Sequence, residues 1–328
     1  MLVQIFQESA KMGSAVRVAE LNAGPKIPLV GLGTSSINQN PEEIKTAVAT
    51  ALEVGYRHFD TATLYSSECA LGDALKEACL KGLVAREEVF VTTKLWCEDL
   101  DDPVSALRTS LENLQLEYVD LYLIHWPLRV RKGFSFPIFK EEDFLPLDLE
   151  STWQGMEQCV HLGLTKAIGV SNFSCKKIGD LLSHAKISPA VNQVEMHPLW
   201  QQKKLRDYCS KVNIHVSAWS PLGGPPNAHG SNDVMDNPDI KEIAEKHGKT
   251  TAQVILRWGL EQGVSVLPKS YNKGRITQNF QVFDWSLTAE DHSKISRLEQ
   301  KKTITGHEAV NSTTSPYKSV EELWDGEI

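Results

Sequence analysis

The chain alternates short β-rich runs with amphipathic helical segments, and that alternation leaves few folds open. The β-rich runs are Val30–Thr34, Tyr56–Ala62, Val89–Leu95, Asp120–Trp126, Ala167–Asn172, Ala190–Met196, His215–Pro221 and Ser265–Ser270. Some are nearly continuously apolar, as over Val119–Ile124, which marks strands covered on both faces. Helical patterns fill the intervals: Pro41–Val54, Glu68–Lys81, Asp102–Leu114, Leu149–Leu162, Ser174–Ala185, Gln201–Val212, Asn237–Lys246, Thr250–Glu261 and Lys273–Phe280. Asn40 and Asp102 stand as N-caps before Pro41 and Pro103, and Gly55 stops the first helix. Strand followed by helix implies parallel strands joined by crossover helices. Eight such units predict an α/β chain folded as a closed (β/α)8 TIM barrel.

Three segments fall outside the repeat. Val16–Ile27, with Asn22-Ala-Gly24 at its centre, predicts an N-terminal β-hairpin. Leu128–Pro146, rich in Phe and Pro, is a long loop after a strand, the kind of insertion that carries function. The polar tail from Lys302, with Tyr317 and Trp324, predicts an irregular C-terminal substrate loop over 303–328. No linker divides the chain, so 1–328 is expected to be one barrel domain, with 1–15 disordered.

The net charge of −8 argues against a nucleic-acid partner or a basic membrane-surface protein. With 41% hydrophobic and 23% charged residues the balance is that of a globular protein, and no apolar stretch is long enough to span a bilayer. The six cysteines form no CxxC pair and the start lacks a secretory pattern, so reduced thiols and a cytoplasmic location are expected.

In a (β/α)8 barrel the active site lies at the C-terminal ends of the strands. Read there, the runs offer Gly33-Thr34, Asp60 leading to Tyr65, Lys94 before Trp96, His125-Trp126, Ser171-Asn172, Gln193, Trp219-Ser220 and Lys269-Ser270. Taken singly, Asp60 could cap a helix, Lys94 could snorkel and His125 could be a satisfied core histidine. Four polar residues from three consecutive units on one face are not explained that way, because buried charges must pair or serve chemistry. A tyrosine hydroxyl is a weak acid, and the Lys94 ammonium is expected to lower its pKa while Asp60 keeps Lys94 charged. His125 could orient a substrate carbonyl. Such a set protonates an oxyanion, and the hydride that makes the oxyanion must come from a cofactor such as nicotinamide.

These stretches resemble the aldo-keto reductase family: Gly55–Tyr65, Thr93–Trp96, Asp120–Pro127, Gly169–Phe173, Asn192–Glu195 and Leu267–Ser270, in family order. The resemblance implies that Asp60, Tyr65, Lys94 and His125 are the catalytic tetrad, with Tyr65 the general acid in reduction. It also implies NADPH/NADP+ as cofactor. Trp219 would stack on the nicotinamide, and Ser171, Asn172 and Gln193 would bind its carboxamide. Lys269, Ser270 and Arg275 would hold the 2′-phosphate, and Gln278 and Asn279 the adenine. Gly33, Thr34, Ser220 and Leu222 complete the expected cofactor contacts, beneath a flap at Gly223–Pro238. Neither a complete Rossmann fingerprint nor a P-loop is present.

The substrate wall is expected from Ser35, Leu64, Trp96, Trp126, the Arg129–Phe144 loop and the tail near Tyr317. Against familiar animal members, Ser35 replaces a bulky Trp, Trp219 a Tyr or Phe, and Gln278 a Glu. Glu195–Leu205, Phe280–Leu287 and Glu321–Ile328 resemble the plant branch, which holds methylecgonone, codeinone and chalcone reductases and deoxymugineic acid synthases. The expected substrate is therefore a small carbonyl compound, a ketone of specialised metabolism with a tropane-like alkaloid ketone foremost, and no obligate protein partner is expected. Two other classes compete. One is a non-catalytic nucleotide-binding barrel acting as a partner protein. The other is a metal hydrolase using His58, Asp60, His125 and His197, which the Lys94 charge opposes; no metal is expected.

Overall fold

A computed structural model of the chain describes residues 16–22, 24–35, 40–134, 137, 139–224 and 232–328. The hairpin pairs β1 (Val18–Glu20) with β2 (Lys26–Pro28) antiparallel. The first barrel strands are β3 (Leu32–Gly33), β4 (His58–Asp60), β5 (Phe90–Leu95) and β6 (Val119–Ile124). A small hairpin, β7 (Arg129–Val130) with β8 (Phe144–Leu145), interrupts the series. The remaining strands are β9 (Thr165–Ser171), β10 (Val191–Glu195), β11 (His215–Trp219) and β12 (Ser265–Leu267). Eight strands run parallel in the order β12-β11-β10-β9-β6-β5-β4-β3. Val30 bridges Val266, with Gly31 N–H donating to the Val266 carbonyl at 3.0 Å, so the sheet closes into the expected (β/α)8 barrel.

The crossover helices are α1 (Pro41–Val54), α2 (Glu68–Leu80), α3 (Pro103–Leu114), α4 (Leu149–His161), α5 (Cys175–Leu182) and α6 (Lys203–Lys211). Between β11 and β12 come α7 (Asp233–Asp236), α8 (Pro238–His247) and α9 (Thr251–Glu261). After β12 come α10 (Lys273–Phe280), α11 (Ala289–Ser296) and the short α12 (Val320–Leu323). The caps lie where the residue types put them. Asn40 Oδ1 accepts from Glu42 N–H, Asp102 Oδ1 accepts from Ser105 N–H, and Gly55 ends α1 at φ 115°. Helix α11 escapes an apolar-periodicity reading, but its Thr288-x-x-Asp291 capping box is present in the sequence.

The barrel strands are shorter than the β-rich runs that announce them. Left-handed residues end two of them, Asn172 at φ 64° after β9 and Ser220 at φ 46° after β11. A positive φ cannot continue a ladder, so the chain turns outward there and leaves polar side chains at the rim. At the opposite end, Leu21 and Ile27 of the hairpin pack with Leu121, Leu123, Ala167 and Val191 and stopper the barrel. Asn22 Nδ2 bonds the Pro189 and Asn213 carbonyls at 3.0 Å and pins that stopper.

His58 lies inside the barrel, its ring bonded to the Pro28 carbonyl and the Thr92 hydroxyl. A Cβ on Gly31 would come within 2.8 Å of that ring, so the seam strand must carry glycine there. Burial, the largest influence on His58, pushes its pKa from 6.5 down to about 4, and His215 is likewise lowered to about 4. The unfolded chain therefore takes up protons that the folded one refuses as pH falls from 6.5 to 4. Stability present above pH 6.5 is lost through that window. The unfolding free energy from urea titration is expected to fall between pH 7 and pH 4, by roughly 3 kcal/mol per histidine. His58→Asn is expected to flatten that fall by about a third, since His58, His215 and His125 are all lowered by burial.

Candidate active site

Asp60 ends β4, and the chain passes through a single 3-10 turn, Thr63–Tyr65, that delivers the phenol to the rim. That turn is held by hydroxyls. Thr34 Oγ1 donates to the Asp60 carbonyl at 2.9 Å, and the Ser67 hydroxyl lies 2.8 Å from both Thr34 and Thr61. Lys94, with no exposed surface, comes from β5. Its ammonium donates to Asp60 Oδ1 at 2.6 Å and to the Thr61 carbonyl at 2.8 Å, and reaches the Tyr65 oxygen at 3.4 Å. His125 follows β6, and its Nε2 lies 3.3 Å from the same phenolic oxygen. The Ser35 hydroxyl also hydrogen bonds to Tyr65. Lys94 and His125 thus meet at the Tyr65 oxygen, and Asp60 joins the set through Lys94.

Burial sets the proton positions. Burial pushes the Tyr65 phenol above its usual 10.0, and Lys94 pulls the other way without overcoming it. The expected net lowering of Tyr65 is therefore corrected: the lysine polarises the hydroxyl, but the dry site keeps the proton on. Burial also opposes the Lys94 charge, yet Asp60 more than compensates and raises its pKa. His125 is driven well below 6.5 by burial and then by Lys94, so its ring is neutral at pH 7. Its Nδ1 has no hydrogen-bond partner among the described residues. An unpaired acceptor nitrogen costs less than an unpaired N–H, which places the proton on Nε2. With Lys94 and His125 both donating to the phenolic oxygen, the hydroxyl's own hydrogen points away from them.

The candidate cofactor residues form an arc beside this cluster. Ser171 pairs with Gln193 across β9 and β10, and its hydroxyl donates to the Gln193 carbonyl at 2.8 Å. Asn172 Nδ2 donates to the His125 carbonyl at 3.0 Å and Trp219 Nε1 donates to Asn172 Oδ1 at 3.1 Å. Gln193 Nε2 donates to Asp60 Oδ2 at 2.7 Å, so this side chain is shared with the catalytic carboxylate, a link the sequence did not announce. At the seam, a Cβ on Gly33 would lie 3.2 Å from the Leu267 carbonyl. Lys269 and Arg275 stand exposed, one after β12 and the other in the first turn of α10, where Asn272 caps the helix. Ser270 and Asn279 are buried, Gln278 is exposed, and Leu222 packs against the core. Two exposed cations, one after β12 and one in the first turn of α10, suit a dinucleotide carrying an extra phosphate. Residues 225–231 of the Gly223–Pro238 flap lie outside the described residues.

The aromatic residues expected to form the wall pack as one cluster. Trp96 stands edge-on to His125 at 5.2 Å, and Phe134, Phe139 and Phe144 stack in series behind it. Leu64, Trp126 and Tyr317 pack on that cluster, and Tyr317 donates its hydroxyl to the Pro127 carbonyl at 2.7 Å. The metal reading finds no support in the geometry. His58 lies deep in the barrel and His197 bonds Glu195, and no group of three metal-ligating side chains gathers among the described residues.

A closed parallel barrel with a phenol, a lysine, a carboxylate and a neutral imidazole at its C-terminal rim defines a carbonyl oxidoreductase. The Aldo/keto reductase family profile matches residues 29–300, and the chain belongs to that family. The aldo-keto reductase family 4 member C11 of Arabidopsis thaliana is 49% identical, covering 97% of this chain and 100% of its own. The NAD(P)H-dependent 6'-deoxychalcone synthase of Glycine max is 52% identical, covering 94% and 95%. A Bombyx mori aldo-keto reductase solved in complex with NADP superposes with a TM-score of 0.80 at 38% identity, covering 89% of this chain and 96% of that one. The chain is an NADPH-dependent reductase of carbonyl compounds. No helix among the described residues is long and apolar enough to cross a membrane.

Removing one member of the buried Asp60–Lys94 pair leaves an uncompensated charge. Lys94→Met is expected to cost about 3–5 kcal/mol in urea unfolding, and adding Asp60→Asn to recover more than half of it. Additive losses would show that the pair is not coupled.

Proposed function

We propose that Tyr65 protonates the oxygen of a bound ketone or aldehyde while hydride arrives at its carbon, giving the alcohol. The observation that carries this reading is the convergence of Lys94 and His125 on the Tyr65 oxygen, which directs its own proton away from both. NADPH supplies the hydride when bound. Asn172, Ser171 and Gln193 would bind its carboxamide, Trp219 would stack on the ring, and Gly33, Thr34, Ser220 and Leu222 would line the approach. Lys269, Ser270 and Arg275 take the 2′-phosphate, and Gln278 and Asn279 the adenine. The His125 Nε2–H sets the angle of the substrate carbonyl. Asp60 keeps Lys94 charged, and Lys94 stabilises the phenolate that proton transfer leaves behind.

The substrate is a ring ketone of plant specialised metabolism, with a tropane-like alkaloid ketone first among candidates. Indole faces at Trp96 and Trp126 suit a rigid apolar ring and also accept a protonated amine. Ser35 leaves room where a larger side chain would crowd the mouth. The name of the soybean relative, which gives NAD(P)H as reductant and a deoxychalcone as product, supports a substrate of that size class. The whole chain works as one barrel domain in the cytoplasm, with residues 303–328 as its substrate wall and no obligate protein partner.

The test follows NADPH absorbance with 4-nitrobenzaldehyde and with tropinone. Wild type is expected to oxidise NADPH with both, and Tyr65→Phe to lose roughly 100- to 10,000-fold in kcat while still binding NADPH. Equal activity in the two proteins would remove Tyr65 from the acid role.

A further inference from the structure

The C-terminal tail is fastened to the barrel rim by a buried charge that the reaction itself does not use. Glu195, the last residue of β10, has no exposed surface. Its carboxylate accepts from the backbone N–H groups of Thr303 at 2.8 Å and Ile304 at 3.0 Å, and from His197 Nε2 at 3.1 Å. Lys302 leads into this turn. Its side chain is 2% exposed, and its ammonium stands 3.7 Å from Glu195 Oε2 and 3.7 Å from the centre of the Trp324 indole. The Trp200 ring lies 5.4 Å away on another side. Trp324 donates its Nε1–H to the Thr305 carbonyl at 2.7 Å and meets Trp126 edge-on at 5.8 Å.

A contiguous line thus runs from Glu195 through Lys302 and Trp324 to Trp126, the residue next to His125. The middle of this line is costly. Burial pulls the Lys302 pKa down to about 8 even against the neighbouring Glu195 charge. A methionine of similar length would fill the same space without an ion to desolvate. What it would lack is the attraction of a cation for an indole face, which fixes where that ring sits. Gly306 confirms how tightly the ring is placed. It adopts φ 73°, and a Cβ there would strike Leu323 at 2.8 Å and approach Trp126 at 3.6 Å.

We propose that Lys302 is a specificity-determining positioning residue, whose ammonium, held between Glu195 and Trp324, fixes Trp126 against the substrate mouth and so sets affinity for bulky ring ketones. The inference rests on the reading of Trp126 as substrate wall given above. Lys302 touches no reacting atom, so its loss acts on the fit of large substrates and leaves proton and hydride transfer alone.

The experiment compares wild type, Lys302→Met, Lys302→Arg and Trp324→Leu in steady state with saturating NADPH, using 4-nitrobenzaldehyde and tropinone. Urea midpoints and near-ultraviolet circular dichroism establish folding, and Trp324→Leu carries the test if Lys302→Met does not fold. Lys302→Met and Trp324→Leu are expected to raise KM for tropinone at least fivefold. For Lys302→Met, kcat on both substrates and KM for the aldehyde should stay within twofold of wild type. Lys302→Arg, which keeps the cation, should restore most of the tropinone KM. An unchanged tropinone KM in folded variants that turn over both compounds overturns this inference and leaves the proposed function standing. Equal losses of kcat on both substrates mean a general structural role and also overturn it. A wild type inactive with both compounds overturns the proposed function and this inference with it.

Discussion

A lysine ammonium without exposed surface is tolerable only where oxygens surround it, and at Lys94 they do. Asp60 Oδ1 and the Thr61 carbonyl take two of its protons at 2.6 and 2.8 Å, and the Tyr65 oxygen lies within reach of the third. The other carboxylate oxygen of Asp60 takes the Gln193 amide from the far side of the barrel. One carboxylate therefore ties β4, β5 and β10 together at the rim. The cost of desolvating the ion pair falls on the whole fold, and its field falls on a single phenol. Proton placement at the site follows: a phenol kept protonated by burial, a lysine kept charged by Asp60, and an imidazole kept neutral by both burial and that lysine.

The barrel makes this arrangement possible because parallel strands all present their C-terminal ends to one side. Residues far apart in the chain, such as Asp60 and Gln193, become neighbours without any local motif joining them. The N-terminal hairpin stoppers the opposite end, so the interior is filled with side chains such as His58 and Leu121 instead of forming a channel. The aromatic wall and the tail, in contrast, belong to the loops, where Tyr317 bonds the Pro127 carbonyl, and Trp324 bonds Thr305 within the tail and meets Trp126 edge-on.

How much was legible in the sequence follows from what is local. Caps such as Asn40 and Asp102, stop signals such as Gly55 and apolar runs such as Val119–Ile124 depend on neighbours in the chain, and they located the elements to within a few residues. The alternation then implied parallel strands, and the polar residues at the run ends identified Asp60, Tyr65, Lys94 and His125, which meet in space. The net pKa of Tyr65 was not legible, because burial is a sum over the whole surroundings and a residue pattern shows only the nearby charge. The Gln193–Asp60 bond and the Glu195–Lys302–Trp324 line were also hidden, since each joins segments far apart in the chain. The sequence shows Ser35 as an absence of bulk, but its hydroxyl also hydrogen bonds to Tyr65.

The claim on which the account turns is that Tyr65 holds its proton at neutral pH although a lysine ammonium stands beside it. The direct measurement is a pH titration of the protein labelled with 13C at the tyrosine ζ-carbon, with the Tyr65 resonance assigned from Tyr65→Phe. The account predicts that this resonance titrates with its midpoint above 10.0. A titration centred below the ordinary phenol value of 10.0 would contradict it and put the ammonium, not burial, in control of the acid.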